Sequence, residues 1–223
     1  MKKYFYLSLV MLAGVIMNTI KIYAQPYYGV RLSGGWANVY ATGPYASLFN
    51  TKPTGYLSVG VFGEFALPKE NLYVKPILML SRKGFNWHFF SNFHFEFYYL
   101  EAPLTFEYHY DNFSFGAGPY LALGLTGWNK TTGEDPLGEP VDKKVKFYPL
   151  LGKPKDNNKN YFTMLDFGLN LGISYQIDSY RLGLYYSRGF RKLFPTEDEG
   201  NENEKTNTFH KVIYLSASYY FNL

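Results

Sequence analysis

Residues 161–177 read YFTMLDFGLNLGISYQI. Every second side chain, from Thr163 through Leu165, Phe167, Leu169, Leu171, Ile173 and Tyr175 to Ile177, is mostly large and apolar. The alternate set, Phe162, Met164, Asp166, Gly168, Asn170, Gly172, Ser174 and Gln176, is mostly small or polar. Successive side chains of a strand point to opposite faces, so the stretch is a strand with one greasy and one mostly polar surface. A tilted strand of about 9–11 residues crosses a bilayer, and this one is longer. Segments of the same kind recur to the end of the chain and predict a barrel whose outside meets lipid.

Working outward, strands are expected at 27–37, 54–66, 72–84, 97–109, 112–126, 161–177, 180–189 and 208–221. The stretches 67–71, 110–111 and 178–179 are tight turns, and 38–53, 85–96, 127–160 and 190–207 are long connections. Short and long alternate without exception, as they do when periplasmic turns are short and extracellular loops long. The fold class is therefore all-β, an eight-stranded antiparallel up-and-down transmembrane β-barrel with both termini in the periplasm. The competing fold is a soluble lipocalin-like barrel with its apolar face turned inward around a ligand. It would have to leave outside a surface unusually poor in Lys and Glu. Pro76, Pro103 and Pro119 fall inside expected strands and cannot donate to a ladder, so bulges or local breaks are expected there.

Residues 1–24 have the pattern of a removable secretory signal: Lys2 and Lys3, an apolar run over 4–17, and Ala24 ahead of Gln25. The barrel domain is then 25–223. The whole chain carries 22 Lys+Arg against 18 Asp+Glu. Loss of Lys2, Lys3 and Lys21 leaves 19 against 18, so the basic balance gives no case for a nucleic-acid partner. The absence of cysteine excludes disulfides and thiolate metal sites. The chain's 23 Tyr and 20 Phe suit strands that end at membrane–water interfaces.

Arg31, Glu64, Lys75, Glu101, Glu107, Asp166 and Arg181 all lie on the polar stride of their strands. The bore of an eight-stranded barrel is just wide enough for side chains to fill. An isolated charge there is costly, so these residues are expected to pair in a network that plugs the lumen. No histidine pair has the spacing of a metal motif such as H-E-x-x-H, and no metal or cofactor is expected. The sharpest enzymatic idea is a lipid-modifying Ser187–His210 pair near the extracellular rim, which requires hydrogen-bond reach between them. The aromatic tract Trp87, Phe89, Phe90, Phe93 and Phe95 is expected to anchor the barrel at the headgroup level. The stretch 197–204, EDEGNENE, is expected to be a solvated acidic loop tip, with lipopolysaccharide phosphates within its reach through divalent cations.

Tyr99-Leu100-Glu101-Ala102-Pro103-Leu104 resembles the Y-L-E-I-P-L stretch of the PorT-like outer-membrane β-barrel family. Gly116-Ala117-Gly118-Pro119-Tyr120 resembles its G-x-G-P-Y strand, and Asp166-Phe167-Gly168 and the segment 181–189 are similar to its D-x-G and R-Y-x-x-G-L strands. Ala102 and the final Leu223 depart from that pattern, where a bulky residue and an aromatic are usual. The resemblance implies that the strand prolines belong to the fold. The family's name derives from a protein implicated in secretion across the outer membrane, and it assigns no activity. The expected role is a structural, binding or secretion-accessory one carried by the loops, without catalysis. The alternatives are a lipid-modifying enzyme or a narrow channel. The expected partners are outer-membrane lipid and lipopolysaccharide, the barrel-assembly machinery during insertion, and an envelope or secretion protein.

Overall fold

A computed structural model describes residues 26–44, 46–48, 50–88, 92–132, 143–148, 161–194 and 207–221. Ten strands follow one another: β1 Tyr27–Thr42, β2 Thr51–Ala66, β3 Leu72–His88, β4 Asn92–Tyr110, β5 Phe113–Thr132, β6 Lys143–Tyr148, β7 Tyr161–Thr163, β8 Leu165–Ile177, β9 Tyr180–Gly189 and β10 Asn207–Tyr220. Eight of them form the wall, in the ring β1-β2-β3-β4-β5-β8-β9-β10, and β10 pairs back onto β1. Every contact in that ring is antiparallel. The fold is a closed eight-stranded antiparallel β-barrel, and closure removes every edge.

The other two strands form an annex that the sequence reading treats as loop. The stretch 143–148, KKVKFY, alternates basic and apolar residues but is too short to span. It pairs with the end of β5 through Val145, Lys144 and Lys143, and runs parallel to β7. The strand expected over 161–177 is consequently interrupted at Met164. Its first three residues leave the wall to pair with β6, and β8 begins at Leu165. The connection expected over 85–96 is mostly strand, because β3 runs to His88 and β4 starts at Asn92.

The short turns have their own chemistry. Asn71, Asp111 and Asp178 are in the left-handed region, with φ of 62°, 50° and 48°. Asn and Asp tolerate that region better than other side chains with a Cβ, which is why these turns can be so tight.

The register sets the shape. One circuit of directly opposed register partners from Ser114 on β5 passes through all eight strands and returns to β5 at Gly124, ten residues further on. That stagger, over eight strands about 4.8 Å apart with a rise of about 3.3 Å, gives a strand tilt of about 40°. Outward side chains of β4 run from Tyr108 through Phe106, Leu104 and Leu100 to Tyr98. At that tilt they span about 26 Å along the barrel axis, close to the apolar band of an outer-membrane barrel. Tyr28, Tyr108, Tyr110, Phe113, Tyr175, Tyr180, Tyr219 and Phe221 form an exposed aromatic girdle at the turn end. At the other end the outward face turns polar at Arg82, Glu96 and His94, which interact with one another.

Of the four prolines in the wall strands, Pro76, Pro103 and Pro119 share one patch, and Pro53 stands apart near the start of β2. Leu104 is opposite Pro76, and ladder pairing lapses between Pro76 and Met79 on one side and between Pro103 and Phe106 on the other. The register is the same before and after each lapse, so these are breaks and not bulges. The register shifts lie elsewhere, between Pro53 and Leu57 and between Tyr98 and Tyr99. The missing donors of Pro76, Pro103 and Pro119 are thus concentrated in one weak spot of the wall, while Pro53 adjoins the register shift in β2.

Candidate functional site

Among the described residues, the inward faces hold eight buried charged side chains: Arg31, Glu64, Lys75, Lys83, Glu101, Glu107, Asp166 and Arg181. Four cations meet four carboxylates, so the lumen is electrically balanced. Seven of these are the residues expected from sequence. Lys83 is the addition, and the seven alone would leave one negative charge unmatched.

Toward the periplasmic end, Arg181 from β9 reaches across the bore to two acids. Its Nη1 lies 2.7 Å from Glu64 Oε2 and 2.9 Å from Glu107 Oε2. Lys75 Nζ lies 3.1 Å from the same Glu64 oxygen and donates to the Tyr220 hydroxyl at 2.7 Å. Tyr220 in turn donates to Glu64 at 2.6 Å. The rings of Phe62 and Tyr220 lie under the Lys75 ammonium at 4.3 and 5.0 Å, a cation–π arrangement that suits a dehydrated charge. Arg31 stands apart from the acids. Its guanidinium donates to Tyr185 Oη at 2.6 Å and to Ser218 Oγ at 3.2 Å.

Nearer the extracellular end, Lys83 Nζ lies 2.9 Å from Asp166 Oδ2 and 3.0 Å from Glu101 Oε1. Ser81 donates to Glu101 at 2.7 Å, and Tyr120 donates to Asp166 at 3.1 Å. Glu101 and Glu107 therefore have separate cations, as their spacing on β4 demands. The partner of Glu101 is Lys83, however, and none of Arg31, Lys75 or Arg181. The resemblance motifs converge here: Glu101 comes from the Y-L-E strand, Tyr120 from the G-x-G-P-Y strand and Asp166 from the D-x-G strand. A Cβ on Gly118 would sit 2.0 Å from the Leu104 carbonyl oxygen, which explains one of the motif glycines.

Above Lys83 the bore is filled by rings. Phe85, Phe95, Phe97, Tyr99, Tyr120 and Phe162 are buried together with Val39 and Leu193, and Trp87, Phe93, Phe147 and Phe194 pack on them. Phe95 and Phe97 stack at 6.2 Å, and Phe97 meets Phe162 at 4.9 Å. Trp87, Phe93 and Phe95 were expected at the lipid headgroups and instead form or cover this cap. Their position in the stride explains it, since Phe93 and Phe95 share the face of Glu101 and Trp87 shares that of Lys75 and Lys83. Phe89 and Phe90 lie outside the described residues, as do the stretch 1–24, expected to be a secretory signal, and the acidic stretch 197–204.

His210 is buried beneath the cap with Nε2 3.2 Å from the Tyr99 hydroxyl, and its Nδ1 has no hydrogen-bond partner among the described residues. Ser187 is opposite Val212, two residues along β10, and shares the lumen face with His210. The described hydrogen bonds include none between them. Glu64, Glu107 and His109 could each offer one ligand atom, all within 4.8 Å of one another. Both carboxylates already receive charge-assisted hydrogen bonds from Arg181. A divalent cation would have to displace Arg181 and Lys75, so the donor set fits an ion-pair network better than a metal centre.

Comparison with solved structures finds similar barrels at low identity. Neisserial surface protein A has a TM-score of 0.45 at 10% identity, covering 88% of this chain and 99% of its own. Ail, the attachment invasion locus protein of Yersinia pestis, solved with the heparin analogue sucrose octasulfate, gives 0.44 at 9% identity, with 89% and 100% covered. The N-terminal β-barrel domain of Pseudomonas aeruginosa OprF gives 0.33 at 10%, with 88% and 100% covered. No curated protein matches the chain. The family model for the outer membrane protein β-barrel domain matches residues 8–195. The match stops short of β10, the strand whose pairing with β1 closes the ring. With the fold and the greater part of the sequence in agreement, this chain belongs to the outer membrane protein β-barrel domain family.

Proposed function

We propose that the protein is a non-catalytic, non-conducting anchor of the bacterial outer membrane, of the PorT-like kind, that presents its extracellular segments to an envelope or secretion partner. The observation that carries this reading is the filled lumen. A balanced ion-pair network and an aromatic cap occupy the bore at successive levels, which leaves the outer surfaces as the place for binding. The PorT-like assignment rests on the motifs that meet at Glu101, Tyr120 and Asp166. Lipid and lipopolysaccharide surround the wall, and insertion falls to the barrel-assembly machinery.

The test is site-specific photo-crosslinking in intact cells. A photoreactive residue at Asn50 or Lys192, near the extracellular ends of β2 and β9, should give a discrete protein adduct, and one at lipid-facing Leu121 should not. Ser187→Ala and His210→Ala should leave outer-membrane lipid composition unchanged. Altered lipid in either variant, with no adduct at the extracellular positions, would replace the anchor reading with the enzymatic one.

A further inference from the structure

Half of the chain's twelve serines lie in one row of the barrel. From the periplasmic end, the register partners run Ser114, Ser174, Gly183, Ser216, Ser33, Ser58, Ser81 and Tyr99, one from each wall strand. All six serines face the lumen and are buried. Strands tilted by about 40° make such a row climb about 25 Å in one turn, so it spirals through most of the membrane's thickness. Its lower end opens on a vestibule of about 220 Å³ lined by Ser114 with Tyr27, Glu64, Tyr73, His109 and Arg181. Its upper end is Ser81, hydrogen-bonded to Glu101 beside Lys83.

The hydroxyls between those ends are the informative ones. Ser33, Ser58, Ser174 and Ser216 Oγ are buried with no well-formed hydrogen bond to any group among the described residues, although the Tyr56 hydroxyl lies beside Ser58. Buried polar groups in native proteins are satisfied by protein or by ordered water, and consecutive unpaired hydroxyls are poorly tolerated. A Cβ on Gly183 would come within 2.5 Å of the Tyr185 ring and 2.8 Å of the Ser174 Cβ, so the one non-serine step in the middle of the row, which the Tyr185 ring covers, admits no side chain.

We infer that this row binds a file of water molecules, entered from the periplasmic mouth and ending at the Glu101–Lys83 pair. The aromatic cap seals it from the outside. The lumen is then closed to solutes yet wet along one spiral of its wall, and the upper ion pairs communicate with the periplasm alone. This goes beyond the anchor reading and does not depend on it.

Water-edited solid-state NMR of the full protein in lipid bilayers, with serine and alanine carbon-labelled, tests this with water as the probe. Ser33, Ser58, Ser174 and Ser216 should receive magnetisation from water at least threefold faster than Ala37 and Ala122, which face the upper lumen. Ser216→Val should reduce transfer to Ser33 and Ser58 to the alanine level and leave Ser174 wet. Ser33→Val, a second block, should silence Ser58 and spare Ser216. Serines as slow as the alanines in the parent would overturn the water file. Blocks that leave the serines above them wet would overturn entry from the periplasm.

Discussion

Lys83→Met removes the cation that holds two buried carboxylates. The ammonium lies 2.9 Å from Asp166 and 3.0 Å from Glu101, with its side chain only 2% exposed. Met keeps much of the volume, so the loss is electrostatic. Breaking a desolvated ion pair on one side costs about 3–5 kcal/mol, because the surviving charge stays buried. Arg82→Met, on the next residue of the same strand, is the matched control. Arg82 faces outward, 3.7 Å from Glu96 and 40% exposed, where a pair is worth about 0–1 kcal/mol. Adding Asp166→Asn to Lys83→Met should recover part of the loss, with a coupling of about 0.5–3 kcal/mol between the two sites. The assay is urea unfolding in lipid vesicles, followed by tryptophan fluorescence and by heat-modifiable gel mobility. If Lys83→Met costs no more than Arg82→Met, or if the double variant is strictly additive, the buried pair is held no more strongly than the surface one and the reasoning fails.

Three further outcomes are expected. Leu171→Arg, on the lipid face near mid-membrane, should impair insertion by about 2–4 kcal/mol; Asn170→Arg faces the lumen, and its effect should depend on Asp166 on the same face, as Asp166→Asn in the same background would reveal. Gly118→Ala should block assembly, measured as the heat-modifiable fraction, because its Cβ meets the Leu104 carbonyl at 2.0 Å, whereas Gly34→Ala finds nothing nearer than 4.0 Å and should assemble normally. Phe97→Ala, at the centre of the cap, should lower stability by about 3–5 kcal/mol in the same urea assay, and Trp36→Ala on the exposed outer face should cost much less.

The wall was legible because a barrel strand writes both its faces into one stretch of chain. The alternation over 165–177 and the tight turns with Asn71, Asp111 and Asp178 needed no tertiary information. Lys83 was legible too: it lies four strides from Lys75, and the other seven lumen charges do not balance without it. The aromatic tract misled because composition suggested an interface, while the stride already turned Phe93 and Phe95 inward with Glu101. The β6–β7 annex was hidden, since a six-residue alternation too short to span looks like loop until its pairing partner is known. The proline patch and the serine row were beyond reach for the same reason. Each depends on register, which brings together residues as distant as Ser33 and Ser216 and is set by closure of the whole ring.

The most direct test of the closed lumen is single-channel recording of the purified protein in planar bilayers. Baseline current without discrete steps, in the parent and in Arg82→Met alike, is the expected result, since water along one wall does not carry ions past the ion pairs and the cap. Steady steps from the parent that grow when Phe97 is replaced by Ala would contradict it, and would make the protein a narrow channel.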